Sequence, residues 1–170
     1  EGNKIIKDRP EIQLDFNAIA QGYTVDVLAA FLESKGIKNY LVEIGGELKA
    51  KGSKNDEEWK VGIDQPNETA GTKRKLEAII YLIERSMATS GNYRKFYEEG
   101  GQKFSHIIDP RTGYPAKQNL LSATVLAKDC ITADAYATAF MIMGLERSKQ
   151  FLAANKDLNL EVFFIYDEKG

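Results

Sequence analysis

A chain of 170 residues, 43% hydrophobic and 28% charged, is long and apolar enough for one globular domain with a real core. A net charge of −2 gives no electrostatic ground for a nucleic-acid partner, and no apolar run approaches the roughly 18 residues that a membrane-spanning helix needs. The one cysteine, Cys130, excludes an intrachain disulfide and a cysteine-rich metal site; it reads as a buried structural thiol.

In chain order, the first element is a helix within Leu14 to Gly36. Val25, Leu28, Ala29 and Leu32 recur at helical spacing, Asp15 or Asn17 is placed to cap the start, and Gly36 suits the position just past the end. Tyr40 to Ile44 and Glu47 to Lys51 read as strands joined around Gly45-Gly46. After a polar loop, Trp59 to Ile63 alternates as a strand, and Asp64 to Lys75 is a connection. Leu76 to Arg85 is long enough for a helix, but its Ile, Tyr and Leu content and the following Thr89-Ser90-Gly91 turn favour a strand. Asn92 to Gly101 reads as a charged, aromatic loop, and Lys103 to Ile108 as a short strand. A strand over Leu121 to Ala127, helices over Thr132 to Met143 and Leu145 to Asn155, and a strand over Glu161 to Tyr166 complete the chain. There is no internal repeat, and the mixture of hairpin-like strands and helices argues for an α+β fold. The chain opens at Glu1 without a methionine and ends just after a strand, as a piece of a longer protein would.

Two runs concentrate chemistry. Ser105 to Pro115 holds the only histidine, His106, with Asp109, Arg111, Thr112 and two prolines. Pro110 fixes its own φ and biases Asp109 away from the helical region, and Gly113 permits positive φ, so the run is expected to form a rigid loop. Such a loop either carries a site or is an ordinary turn with a surface histidine. In Thr132 to Thr138, Asp134 and Thr138 are four apart and share one helical face. With a nearby backbone carbonyl they would be hard oxygen ligands suited to Mg²⁺. The alternative is an aspartate that stabilises the first turn of its helix and a threonine that bonds the turn before it. Gly45-Gly46 would let backbone approach a ligand closely, and Thr89-Ser90-Gly91 offers hydroxyls and amides to an anion; each signal is weak alone.

Taken together and in order, Leu14-Asp-Phe-Asn-Ala-Ile-Ala-Gln-Gly-Tyr-Thr-Val-Asp26, Glu43-Ile-Gly-Gly-Glu47, Ala88-Thr-Ser-Gly-Asn92, Ser105-His-Ile-Ile-Asp-Pro-Arg-Thr-Gly113 and Ala133-Asp-Ala-Tyr-Ala-Thr138 resemble the motifs of the ApbE family of flavin transferases. The resemblance implies an α+β fold with mixed or antiparallel sheets and packed helices, related to the T-fold. It also implies a Mg²⁺-dependent enzyme that cleaves FAD, transfers FMN to a threonine hydroxyl of an acceptor protein and releases AMP. By the same resemblance the metal ligands are Asp134, Thr138 and a carbonyl near Ala18. FAD would be held by Gln21, Glu43, Gly45, Gly46, Ser90, Gly91, His106 and Thr112. His106 or Asp109 would act on the acceptor proton, a task for which a histidine titrating near neutrality is suited.

The family usually reads Gly-Ala-Ile-Ala-Lys-Gly where this chain reads Asn17-Ala-Ile-Ala-Gln21-Gly22, so a cation is missing at position 21. The family's N-terminal portion, which contributes part of the flavin pocket, is not matched in this chain. Two other activities are open to the same residues: hydrolysis of FAD to FMN and AMP, and FAD binding without catalysis. Family members are usually exported and often lipid-anchored, which implies a periplasmic or cell-envelope location.

Overall fold

A computed structural model of the chain describes residues 4–66, 75–92, 96–99, 102–105, 108–110, 112–115 and 119–167. Its centre is a five-stranded sheet in the order β1 (Tyr40–Ile44), β2 (Glu47–Lys51), β5 (Ser86–Gly91), β10 (Leu120–Ala127), β11 (Glu161–Tyr166), with every neighbouring pair antiparallel. β3 (Trp59–Asp64) and β4 (Leu76–Leu82) form a separate hairpin. Successive strand residues point to opposite faces, and β5 uses both. Ala88 packs with Ala123, Val125, Ala133, Ala137 and Phe140 on the helical side, whereas Met87 packs with Leu48, Leu82 and Leu126, backed by Trp59, Val61 and Ile80 of the hairpin. The sheet is thus sandwiched between α1 (Ala20–Ser34) and α2 (Cys130–Met143) on one face and the β3–β4 hairpin on the other. The α+β fold expected from sequence, with mixed or antiparallel sheets, is observed, and every strand pair among the described residues is antiparallel.

The two helices are tied by carboxylates. The first N–H groups of a helix have no partner within it. At the start of α2, Asp129 is the N-cap and accepts from Thr132 N–H at 2.9 Å. Cys130 and Ile131 N–H are instead satisfied by Asp26 of α1, at 2.9 Å each to Oδ2. Lys49 of β2 pairs with the same carboxylate at 3.0 Å. In the reverse direction, the N-cap of α1 is Ile19, which offers no side-chain oxygen, and the Gly22 N–H donates to Asp134 Oδ2 of α2 at 2.9 Å.

Several local readings change in the structure. α1 begins at Ala20 rather than near Leu14; Asp15 and Asn17 do not cap it, because Asp15 accepts from Asn17 N–H at 2.7 Å in a separate turn. Its end is as expected: Gly36, at φ +74°, donates to Glu33 O and Ile37 donates to Leu32 O, closing the last turn. Only Val25 and Ala29 of its predicted apolar set are buried, with Gly22; Leu28 is exposed beside Tyr23, Val27 and Phe31. α2 starts two residues earlier than expected, at Cys130, so Asp134 stands in its second turn, beyond the reach of the first-turn dipole argument. Cys130 is fully buried, and burial with the nearby Asp26 pushes its thiol pKa well up, as befits a structural cysteine.

Leu76 to Arg85 ends as a strand at Leu82, and Glu84, at φ +52°, turns the chain away from the hairpin and into the main sheet. Thr89-Ser90-Gly91 is strand, not turn: Thr89, Ser90 and Gly91 face Thr124, Ala123 and Ser122 of β10, and this long-range pairing overrides local turn chemistry. The presumed loop Asn92 to Gly101 includes β6 (Phe96–Glu99), which pairs with β7 (Gln102–Ser105). The expected strand to Ile108 therefore stops at Ser105, and β8 (Ile108–Asp109) pairs with β9 (Tyr114–Pro115). Between them Thr112 and Gly113 N–H both donate to Asp109 O, at 3.1 and 2.8 Å, with Gly113 at φ +73°: the rigid turn predicted from Asp-Pro and Thr-Gly. His106 and Arg111 lie outside the described residues.

A Cβ on Gly22 would lie 2.4 Å from Cys130 O and 2.8 Å from Asp134 Cβ. Gly22→Ala gains about 1 kcal/mol of helix propensity, but overpacking costs roughly 1–3 kcal/mol, and here the opposing atom is backbone. The variant is expected to be less stable by about 1–2 kcal/mol, read as a lower urea midpoint. A raised midpoint would mean that α1 and α2 separate at little cost.

Candidate functional site

A cleft of about 900 Å³ opens where the start of α1, the β1–β2 turn, the β3–β4 hairpin, the end of β5 and one face of α2 meet. The β1–β2 turn is two residues, Gly45 and Gly46, at φ +69° and +118°. Positive φ at both positions suits a hairpin whose turn follows the strand twist. Gln21 Nε2 lies 2.0 Å from where a Cβ on Gly45 would stand, an overlap that the flexible glutamine could relieve by moving; the positive φ is what favours glycine there. The carboxamide of Gln21 is therefore folded over the glycine turn, joining helix to hairpin at the cleft wall.

On α2, Asp134 and Thr138 both line the cleft, as their four-residue spacing predicts. Thr138 Oγ1 and Ser90 Oγ, 3.0 Å apart, share a hydrogen bond that fixes both hydroxyls. Asp134 is only 5% exposed. Burial holds its carboxyl above the usual carboxylate range, and the Gly22 N–H draws it partly back. Oδ2 serves Gly22, which leaves Oδ1 as the oxygen for the cleft.

This donor set fits a hard divalent cation of a particular kind. Among the described residues no three Asp, Glu, His or Cys side chains converge as a metal cage. One carboxylate beside hydroxyls suits Mg²⁺, which is usually held by one or two carboxylates and keeps waters and substrate phosphate oxygens.

Of the sequence-predicted residues, the structure brings Gln21, Glu43, Gly45 and Gly46 together with Ser90, Gly91, Asp134 and Thr138 in this one cleft. Ala18 is half-buried in the turn before α1, where the wall is formed by Asn17, Ala20 and Gln21 instead. Asp109 is buried and Thr112 exposed on the β8–β9 turn; neither is part of the cleft wall. Five wall residues of the β3 strand carried no functional signal in sequence: Lys60, Val61, Gly62, Ile63 and Asp64. Neither did Asp26, whose role depends on a segment 104 residues away.

With this geometry established, comparison with known proteins defines the class. A profile of the ApbE family matches residues 1–164. The chain belongs to the ApbE family. It is 45% identical over 157 residues to the FAD:protein FMN transferase of Vibrio cholerae, covering 92% of this chain and 46% of that protein. The protein of the same name from Haemophilus influenzae is 42% identical over 161 residues, covering 94% and 45%. Among solved structures, the flavin transferase ApbE from Vibrio cholerae superposes with a TM-score of 0.83 at 42% identity, over 98% of this chain and 51% of that one. The apo flavinyl transferase ApbE of Pseudomonas stutzeri does so with a TM-score of 0.74 at 38% identity, over 92% and 46%. The chain spans about half the length of the curated relatives it matches.

The buried carboxylate yields a pH prediction for the protein in chelator. A carboxyl pKa raised in the folded state means that the neutral form stabilises the fold. That contribution is complete below the unfolded pKa and is lost as pH rises through the folded one. Asp134→Asn keeps an oxygen for the Gly22 N–H and cannot ionise. It is expected to match the wild type near and below the ordinary aspartate pKa of about 3.9 and to exceed it at neutral pH. Urea midpoints across pH test this; a variant weaker than wild type at neutral pH would show that the charge itself is needed by the fold.

Proposed function

We propose that this chain carries the metal- and phosphate-handling part of a flavin transferase that cleaves FAD and passes FMN to a threonine hydroxyl of an acceptor protein, with AMP leaving. The observation that carries this reading is the meeting of Asp134, Thr138 and Ser90 with the Gly45-Gly46 turn in one cleft, in a chain of this family. The bond formed is from the acceptor oxygen to the phosphorus of the FMN half. The bond broken is the one from that phosphorus to the bridging oxygen, which departs with AMP. The acceptor proton goes to a base, for which His106 and Asp109 are the candidates. Mg²⁺, when bound, would neutralise charge on the phosphate oxygens.

The chain's own residues then have defined tasks. Asp134 and Thr138 present oxygens on one face of α2, held by Gly22 and Ser90. Gly46 of the glycine turn has open space where a side chain would stand, so a phosphate group could approach its backbone closely. The FMN transferase names of the relatives favour transfer over simple hydrolysis.

The test is release of AMP from FAD by the full-length protein, with and without Mg²⁺, and with a threonine-containing acceptor peptide. Mg²⁺-dependent AMP release with flavin covalently on the peptide is expected, and Asp134→Asn should abolish it. Free FMN as the sole flavin product would make the protein a pyrophosphatase; bound FAD without AMP would make it a binding protein. His106→Ala is expected to lower kcat by roughly 10²–10⁴ while leaving FAD affinity nearly unchanged. An unaltered kcat would remove the histidine from the chemistry.

A further inference from the structure

We propose that the outer face of α1 and the segment leading into it seat the half of the polypeptide that the matched relatives possess and this chain does not span. A helix on a protein surface ordinarily turns charged or polar residues to water. α1 does the reverse. Its two charged residues both pair with β2, Asp26 with Lys49 and Glu33 with Lys51, each at 3.0 Å. Tyr23, Val27 and Phe31, one above another at four-residue spacing, stand outward with Leu28 beside them, 42–58% exposed. Lys35, at the end of the helix, lies over the Phe31 ring at 5.3 Å and marks the rim of the stripe.

The segment before α1 carries the second part of the argument. Ile12, Leu14 and Phe16 alternate with Gln13 and Asp15, the pattern of a strand with one face buried. Yet residues 12–16 pair with no strand among the described residues, and the three apolar side chains are 41–53% exposed. Large apolar groups grouped in this way on two consecutive segments mark a surface that another body covers. The curated relatives share only 46% and 45% of their own length with this chain. The unspanned half is joined to this one by the polypeptide. It therefore meets the stripe at an effective concentration on the order of millimolar, which a second copy does not reach in dilute solution. That half lays an apolar surface on α1 and a strand beside residues 12–16. Asn17, Ala20 and Gln21 of the cleft wall lie between the two surfaces in the chain, so the docked half also braces that wall.

The experiment labels introduced cysteines in the full-length protein with a maleimide, in dilute native solution and in urea, each site being read by peptide mass. Cys130 is fully buried and serves as the internal reference for a protected thiol. Val27→Cys and Leu14→Cys are expected to react roughly tenfold or more slowly in the native protein than in urea, at a rate that dilution does not alter. Protection that fades on dilution would assign the face to a second copy, and native rates near those in urea would leave it bare; either result overturns the proposal. Val27→Glu gives an independent reading. It buries a charge if the face is covered and should lower the urea midpoint of the full-length protein. A midpoint equal to that of wild type would mean that the charge meets water and that nothing docks there.

Discussion

The fold and the cleft both depend on carboxylates that cross between α1 and α2. Asp26 reaches from α1 to the first two amides of α2, and Asp134 reaches from α2 to the amide of Gly22 near the start of α1. Each helix supplies what the other lacks at its N-terminus, where unpaired N–H groups and the helix dipole both favour an anion. The arrangement requires the backbones to be close, which is why position 22 has no side chain. Lys49 adds β2 to the same knot through Asp26. A loss at any of these points therefore acts on the cleft as well, since Gln21, beside Gly22, and Asp134 both line it.

The acidity of the cleft follows from this construction and limits what can occupy it. A buried carboxylate is costly unless compensated, and the rise in the Asp134 pKa expresses that cost. Glu43, Glu47 and Asp64 add negative charge to the same wall. On the proposed reading, a divalent cation would supply positive charge to both an anionic ligand and the ionised Asp134.

How much of this was legible in sequence depends on the range of the interaction involved. Asp134 and Thr138 could be placed on one face from their spacing alone, because helix geometry is local. The Gly45-Gly46 turn and the Asp109–Gly113 turn were equally visible, since each rests on the backbone freedom of a few neighbouring residues. β5 was not. Thr89-Ser90-Gly91 has turn composition, and only its pairing with β10 makes it a strand. Asp15 and Asn17 had the right chemistry for a cap but satisfied each other first. Asp26 was invisible for a different reason: nothing near it in the chain needs an acceptor, and its partners are brought to it by tertiary packing.

The use of Asp134 both to hold α1 and to face the cleft has a consequence for binding. A surface carboxylate must lose side-chain freedom when it takes a ligand, and that loss weakens binding. Asp134 has lost it already, on folding, because Gly22 fixes one oxygen; Thr138 has likewise been fixed by Ser90. On the proposed reading, the remaining lone pairs are preorganised for a cation, and the desolvation of Asp134 has been met by the stability of the fold. Preorganisation of this kind improves affinity without further contacts. On the same reading, the two side chains offered to the cation gain from standing on a helix packed into the core.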